Sequence, residues 1–255
     1  MANINKNISL LQLENFLQEN IQKRLDYLPK SFYNQQKFAL EIFQKRIFLE
    51  SIIEETISFN KKLSWNEKNK NLGLTKTAED LIKVFKLRSD VFTEINYQNE
   101  FPDIIEGLNF DVFDKTSAVI FYKNNKEISG TIRLIFDSNN KLPSENKCSF
   151  DDMRQKYNCI GEISRNIVKN RGAGLNQEFK YLMCGIYNIF INNNIDMALS
   201  GIKKEHLKLF EKLGGVKVYR ELDCYGSFET PCSIISYDPK DASKFFKKVF
   251  LEEKI

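Results

Sequence analysis

The sequence is poor in the residues that build disulfide frameworks and zinc sites. Its 255 residues include five cysteines and a single histidine, and no two cysteines form a C-x-x-C pair. Disulfide scaffolds and structural zinc sites both need denser and more closely spaced ligands. We therefore expect neither a disulfide framework nor a bound metal.

Long apolar runs are also missing. Nowhere do 18 apolar residues follow one another, and the opening residues MANINKNISLLQ lack a basic segment followed by an apolar run. Membrane-spanning helices need about 20 apolar residues, and secretory signals need both of those segments. The sequence thus predicts a cytoplasmic protein without an integral membrane segment.

The chain also has only a small excess of positive over negative charge. The net charge is +4, and residues 1–76 carry the whole excess, with 12 Lys and Arg against 8 Asp and Glu. An excess this small, spread along helical segments, is typical of a solvated surface and is a weak signal for nucleic acid. We expect no nucleic-acid partner.

What is present is a change of apolar spacing along the chain. Residues 10–21 and 42–57 repeat apolar side chains at helical intervals, with Pro29 and the polar segment 34–36 as a break between them. A second polar cluster follows at 66–71. We therefore predict an amphipathic helical extension over residues 1–72 and a second domain over residues 73–255.

The second domain alternates predicted helices and strands. Strands are predicted from β-branched and aromatic runs, and helices from apolar residues three and four positions apart. The predicted elements are a helix at 78–92, a hairpin of strands 117–122 and 128–137, a strand at 160–168, a helix at 175–190, a strand at 197–202, a helix capped by Gly214 and Gly215, and strands at 216–219 and 232–237. This order predicts an α/β (α+β) fold with a mixed sheet and helices on its faces.

Four short patterns in this domain combine arginine with carboxylates. They are L-R-S-D-V-F at 87–92, G-L-N-F-D-V-F-D at 107–114, G-T-I-R-L at 130–134 and G-E-I-S-R at 161–165. In this order they resemble the acyl-homoserine-lactone synthases and N-acyl amino acid synthases, a branch of the GNAT superfamily. The resemblance covers about residues 75–220. It implies a GNAT-like, mostly antiparallel sheet and an enzyme that moves an acyl group from a thioester to a small amine.

The resemblance assigns roles to eight residues. Those assigned to substrate binding are Arg88, Phe92, Asp111, Asp114 and Arg133. Those assigned to catalysis are Glu162, Ser164 and Arg165. The arginines can pair with the two aspartates, or they can bind an acceptor carboxylate through a bidentate fork.

The chemistry of acyl transfer is consistent with these roles. An amine that attacks a thioester must lose a proton, and the oxyanion that forms must be stabilised. Glu162 is expected to be the base, with a pKa raised by partial burial. Backbone N–H groups at 164–166 are expected to stabilise the oxyanion where the strand separates from its neighbour. Protonation of the leaving thiolate stays unassigned, because no pattern chooses among Tyr181, Tyr187 and Tyr219.

Each residue of this set also has a purely structural interpretation. Glu162 and Arg165 are three positions apart, so an ideal strand places them on opposite faces and only a bulge brings them together. Asp111 and Asp114 can simply fix the turn before the hairpin. Arg88 can be a surface residue of an amphipathic helix.

A glycine-containing loop links the strand at 160–168 to the next helix. The segment K-N-R-G-A-G at 169–174 resembles the GNAT pyrophosphate loop, with Lys169, Arg171, Gly172 and Gly174 as cofactor-binding residues. Its glycines would let backbone N–H groups at the helix N-terminus approach a phosphate. The resemblance implies an acyl donor carried by acyl carrier protein (acyl-ACP) or coenzyme A (acyl-CoA). Such a turn also occurs without a ligand.

The sequence departs from the lactone synthases at the acceptor site. Those enzymes usually carry a Trp that walls the S-adenosylmethionine pocket, and this chain has E-I-N-Y-Q at the corresponding segment, 94–98. We therefore predict that the acceptor is the amine of an amino acid or a similar small molecule, and the resemblance implies that the transferred group is a fatty acyl group. One alternative is a lactone synthase that uses S-adenosylmethionine, with Tyr97, Phe101 or other aromatic residues around the adenine. The other is a non-catalytic GNAT-like binding module.

Overall fold

The computed structural model describes residues 12, 15, 18, 19, 30–138, 141–169, 176–226 and 230–248. The chain divides between Glu54 and Glu55 into two compact units. The domain boundary predicted at residue 72 stays a prediction. Within the described ranges, no helix is both long enough and apolar enough to cross a bilayer.

The N-terminal helices differ from the prediction. The helix predicted over 10–21 lies mostly outside the described residues. The helix predicted over 42–57 is part of a longer one, α1 (Lys30–Lys62). The break expected at 34–36 is wrong, because α1 runs through that segment. Asn and Gln are only mildly unfavourable in helices, and the segment contains neither Gly nor Pro.

Three further helices position the site or its core. They are α2 (Ala78–Glu94), the short α3 (Asp151–Lys156) and α4 (Gln177–Asn192). Two small helices, α5 (Leu207–Glu211) and α6 (Lys244–Phe246), lie near the C-terminus. Helix α2 begins at the cap residue Thr77, whose side chain accepts a hydrogen bond from Asp80 N. Short 3₁₀ turns occur at Val112–Thr116, Pro143–Asn146 and Lys204–His206.

The described strands form one seven-stranded sheet. They are β1 (Leu72–Leu74), β2 (Ser117–Asn124), β3 (Glu127–Phe136), β4 (Ile160–Val168), β5 (Met197–Lys203), β6 (Gly214–Leu222) and β7 (Cys232–Ala242). Their order is β1-β2-β3-β4-β5-β7-β6. All neighbours are antiparallel except β4 and β5, which are parallel. The predicted mixed, mostly antiparallel sheet is thus confirmed. The three-residue strand β1 was not predicted.

The two glycines predicted to cap a helix lie instead at the start of β6. Gly214 and Gly215 have positive φ angles of 77° and 72°. A β-carbon on Gly215 would lie 2.1 Å from the carbonyl oxygen of Asp238 on β7. Glycine is therefore required here both by the backbone angles and by the close approach of the neighbouring strand.

The two faces of the central strands carry different side chains. On one face, Ile132 and Leu134 of β3 belong to the hydrophobic core that includes Leu182 and Ile186 of α4. Arg133, between them in sequence, points to the opposite face and contacts the turn at Val112–Thr116. Period-two alternation in β3 therefore separates an apolar core from a polar site.

The backbone opens beside Glu162. Pairing of β4 with β5 ends at Glu162 and Leu199, although both strands continue. The pairing of β3 with β4 shifts register by one residue between Thr131 and Arg133. Arg165 has a φ of 52° at this shift. A β-bulge with a left-handed residue turns side chains out of their regular alternation and is common beside active sites.

The buried side-chain amide of Asn60, near the end of α1, bonds to backbone groups at the start of β2. The short strand β1 does not reach these groups. Asn60 Nδ2 donates to Ser117 O at 2.8 Å and to Thr56 O at 2.8 Å. Its Oδ1 accepts from Val119 N at 3.0 Å. The side chain of Asn60 therefore replaces hydrogen bonds that a longer β1 would have made.

We expect Asn60→Ala to lower the free energy of unfolding by about 2–4 kcal/mol, because it leaves buried backbone groups of β2 without partners. Urea denaturation measures this. Asn192→Ala is the matched control, because Asn192 is exposed and bonds only within α4 among its described contacts. We expect the control to change stability by less than about 0.5 kcal/mol. Equal losses in the two variants would refute the strand-completing role.

Candidate active site

Three arginines and two aspartates meet on the polar face of β3. Asp114 accepts from Arg88 at 2.8 Å, and both side chains are fully buried. Arg133 binds the Asp111 carboxylate at 2.6 and 2.9 Å, and its Nη1 lies 3.0 Å from Asp114. Arg165 donates to Asp111 at 2.9 Å. All five residues were predicted for this site, and we call them the arginine–aspartate cluster.

The two aspartates also shape the turn that carries them. Asp111 caps the 3₁₀ turn at Val112–Thr116, because its Oδ1 accepts from Phe113 N at 3.0 Å. Asp114 reaches back and accepts from Asp111 N at 3.0 Å. This reciprocal arrangement is a capping box. The structural interpretation of the D-x-x-D pair therefore holds, and the same carboxylates also bind the arginines.

The arginine–aspartate cluster contains one more guanidinium than carboxylates. Burial alone would raise the pKa of Asp111, but Arg133 and Arg165 hold it well below its usual range. Burial lowers the pKa of Arg165 to about 10, with Arg133 and Arg88 acting in the same direction. Among the described residues, Arg88 Nε and Nη2 and Arg165 Nε have no hydrogen-bond partner. The cluster thus has spare donors and a positive charge.

The bulge in β4 brings Arg165 into the cluster. Its guanidinium lies 4.2 Å from the centre of the Phe101 ring and 5.3 Å from that of Phe92. The ring of Phe92 stacks on those of Phe101 and Tyr97, at 5.0 and 6.3 Å between centroids. Phe92, assigned by the resemblance to the substrate, is therefore part of an aromatic support for Arg165.

Ser164 and Glu162 lie on the same side of β4 and have different partners. Ser164 Oγ accepts from Arg133 Nε at 2.9 Å. Glu162 is only 2% exposed, and its two oxygens accept from Ser144 N at 2.9 Å and Ser144 Oγ at 2.8 Å. Burial raises the pKa of Glu162 to about 7, although both bonds from Ser144 act to lower it.

Two residues near Glu162 were missed by the sequence analysis. Ser144 is the direct partner of Glu162, and its Oγ lies 3.3 Å from the hydroxyl of Tyr225. Tyr219, a candidate by sequence, instead places its hydroxyl against the Asp152 carboxylate and 3.1 Å from Ser149 O. Tyr181 stacks on Tyr122. No short motif marks Ser144 or Tyr225, because long-range packing alone brings them to Glu162.

The predicted cofactor loop is described only at its first residue. Lys169 N donates to Ser129 O at 2.7 Å, and its exposed Nζ lies 3.8 Å from Glu127. Arg171, Gly172 and Gly174 lie outside the described residues. Helix α4 begins after this loop at the cap residue Asn176, whose Oδ1 accepts from Phe179 N at 2.7 Å. Phosphate binding at this loop stays a prediction.

Comparison with known proteins places the chain in a family. Residues 83–238, more than half of the chain, match the family model described as N-acyl amino acid synthase FeeM. The chain belongs to the FeeM family. The predicted resemblance and the prediction of an acyltransferase are thereby confirmed. No curated protein matches the sequence.

Solved structures similar to this FeeM family member share its fold. FeeM itself, from uncultured soil microbes, has a TM-score of 0.52 at 14% identity and covers 71% of this chain and 93% of its own. The acyl-homoserine-lactone synthase LasI has a TM-score of 0.55 at 14% identity, with coverages of 72% and 96%. The CoA-dependent lactone synthase BjaI, solved with MTA, has a TM-score of 0.50 at 18% identity, with coverages of 67% and 80%.

Proposed function

We propose that this enzyme transfers a fatty acyl group from an acyl-ACP or acyl-CoA thioester to the amino group of a free amino acid. The observation that carries the proposal is the position of Glu162. This buried carboxylate, with a pKa of about 7, lies on the same face of the sheet as a cluster with spare guanidinium donors. Glu162 can remove a proton from the amine of an amino acid while the arginine–aspartate cluster binds its carboxylate.

The nitrogen of an amino acid is an ammonium at neutral pH and loses two protons on becoming an amide. The first goes to solvent before the attack, and the second is lost as the nitrogen–carbon bond forms and needs a base in the site. A general base works best when its pKa lies near the working pH. Glu162 meets this condition because burial raises its pKa. The neighbouring opening between β4 and β5 is where we place the thioester, with backbone N–H groups at 164–166 polarising its carbonyl.

The acceptor carboxylate is assigned to Arg165. Of the three guanidiniums, that of Arg165 belongs to the most exposed side chain, at 10% against 2% for Arg133 and 0% for Arg88. Its Nε has no partner among the described residues. A planar guanidinium can bind a carboxylate through two parallel hydrogen bonds. Arg133 and Asp111 would hold Arg165 in place for that contact.

The acyl donor is assigned to the loop at 169–174, through the phosphate of its pantetheine arm. ACP and CoA carry the same arm, so the loop does not choose between them. An acidic carrier protein would be attracted by the basic excess of residues 1–76. Salt would then weaken transfer from acyl-ACP more than transfer from acyl-CoA.

The test is product formation by the purified enzyme. Decanoyl-ACP and decanoyl-CoA are each supplied with an equimolar mixture of the twenty protein amino acids, and separately with S-adenosylmethionine, and products are identified by mass spectrometry. We expect an N-decanoyl amino acid with wild type. Formation of a homoserine lactone instead would support the lactone-synthase alternative. Absence of any product from either donor would contradict the proposed function.

A further inference from the structure

A chain of hydrogen bonds leads from Glu162 to a tyrosine on the loop between β6 and β7. Ser144 Oγ lies 2.8 Å from Glu162 Oε1 and 3.3 Å from Tyr225 Oη. When Glu162 is ionised, it can only accept, so Ser144 donates to Glu162 and Tyr225 donates to Ser144. The three groups therefore form a continuous path for a proton.

The middle of this path is held in place. Glu145, next to Ser144, accepts two hydrogen bonds from Arg154, both at 2.6 Å. Arg154 also binds Asp137 just beyond β3, at 2.7 and 2.8 Å. Asp137 N is itself bonded to Ile160 O on β4. Four charge-assisted bonds thus fix the Ser144 turn to the two strands beside Glu162, which is the support that a catalytic constellation needs.

The end of the path lies where β4 and β5 have separated. A β-carbon on Gly201 would lie 3.1 Å from the Tyr225 ring and 3.6 Å from Ser144 Oγ. Gly201 is two residues beyond Leu199, the last β5 residue paired with β4. The ring of Tyr225 therefore packs directly on the β5 backbone, at the opening where the thioester was placed. Burial raises the pKa of Tyr225, so its phenol keeps its proton at neutral pH.

We propose that Tyr225 is a catalytic acid that protonates the leaving thiolate, and that Glu162 resupplies its proton through Ser144. This inference rests on the proposed function. The amine nitrogen forms a bond to the acyl carbon, the carbon–sulfur bond breaks, and the electron pair of that bond stays on sulfur. Tyr225 gives its proton to the sulfur.

The proton that the neutral amine loses on attack passes through the same three residues. The ammonium gives its first proton to solvent before the attack, and Glu162 takes the second from the nitrogen as its bond to the acyl carbon forms. Protonated Glu162 donates to Ser144 Oγ, and the Ser144 hydroxyl proton moves to the Tyr225 phenolate. The net change within the site is transfer of one proton from the neutral amine to the thiol, and the ammonium proton leaves to solvent, so no oxidant, reductant or other reactant is needed. All three residues return to their starting protonation states.

The leaving group provides a test that a merely structural role would not pass. An alkyl thiolate, such as that of pantetheine, is basic and gains from an acid, whereas an aryl thiolate leaves without one. We compare decanoyl-ACP and decanoyl-CoA with S-(4-nitrophenyl) thiodecanoate, using the twenty amino acids as acceptor. We expect Tyr225→Phe to lower kcat about 100-fold with the pantetheine thioesters. With the aryl thioester we expect a loss of less than about fivefold.

Two further variants complete the test. Ser144→Ala should show the same dependence on the leaving group, because it breaks the path while leaving the Tyr225 hydroxyl. Tyr219→Phe, which removes a hydroxyl bound to Asp152, should behave like wild type with both donors. Equal losses with alkyl and aryl thioesters, or no loss in Tyr225→Phe, would overturn the inference while leaving the proposed function intact. An inactive wild type would overturn both.

Discussion

Replacing Glu162 with glutamine is expected to reduce kcat by roughly 10²- to 10⁴-fold, the usual contribution of a general base. Glutamine has nearly the same shape, and its amide can still bond to Ser144, but it cannot take a proton. Steady-state rates of N-acyl amino acid formation measure the effect. Glu79→Gln is the matched control, because Glu79 is exposed and pairs with Lys83 on the surface of α2. A loss below tenfold in Glu162→Gln would remove Glu162 from the base role.

The pH profile follows from the same pKa. With a pKa of about 7, Glu162 is protonated below neutrality and cannot act as a base. Wild-type kcat/KM should therefore rise with pH through about 7 and level off above it, apart from the titration of the amine itself. The residual activity of Glu162→Gln should lack the limb near pH 7. If kcat/KM rises near pH 7 in both wild type and Glu162→Gln, the rise belongs to a group other than Glu162.

The free energy of unfolding should fall over the pH range in which activity rises. The pKa of Glu162 is about 7 in the folded protein against 4.5 for a free side chain, so the folded state binds more protons between these values. The free energy of unfolding then falls as pH rises from about 4.5 to 7. At pH 8, Glu162→Gln should be more stable than wild type, by up to about 3 kcal/mol. Thermal unfolding at pH 4.5 and pH 8 measures the difference.

The second large effect is expected from Asp114→Asn. Asp114 is fully buried, contacts Arg88 and Arg133, and accepts the capping bond from Asp111 N. Removing its charge leaves the buried guanidinium of Arg88 without a carboxylate in direct contact. Breaking one side of a buried ion pair typically costs about 3–5 kcal/mol. We expect a loss of that size in the free energy of unfolding, measured by urea denaturation, together with loss of acyl transfer.

An exposed aspartate on the same helix as Arg88 gives the control. Asp90 pairs with Lys86 at 3.0 Å, and both side chains are more than half exposed. Exposed pairs contribute little, so Asp90→Asn should cost less than about 1 kcal/mol. If Asp114→Asn were no more harmful than Asp90→Asn, the arginine–aspartate cluster would have no part in holding the fold together.

Individual helices and strands could be predicted from the sequence because their apolar residues recur at regular intervals. The hairpin of β2 and β3 and the helix α4 were predicted near their observed positions from spacings of two and of three to four residues. The three-residue β1 was missed because it is too short for any period to show. The break expected in α1 was wrong because polarity alone does not end a helix.

By itself, the sequence determined the family, the residues that form the arginine–aspartate cluster, and the strand and helix order of the second domain except for β1, α3 and α6. The tertiary structure alone decided that a bulge turns Arg165 towards Asp111, and that Ser144 and Tyr225 reach Glu162. The physical reason is the separation along the chain of the residues involved. Motifs and periods record which residues a chain presents locally, whereas burial, pKa and contacts across 18 or 81 positions depend on how the strands pack and where they separate.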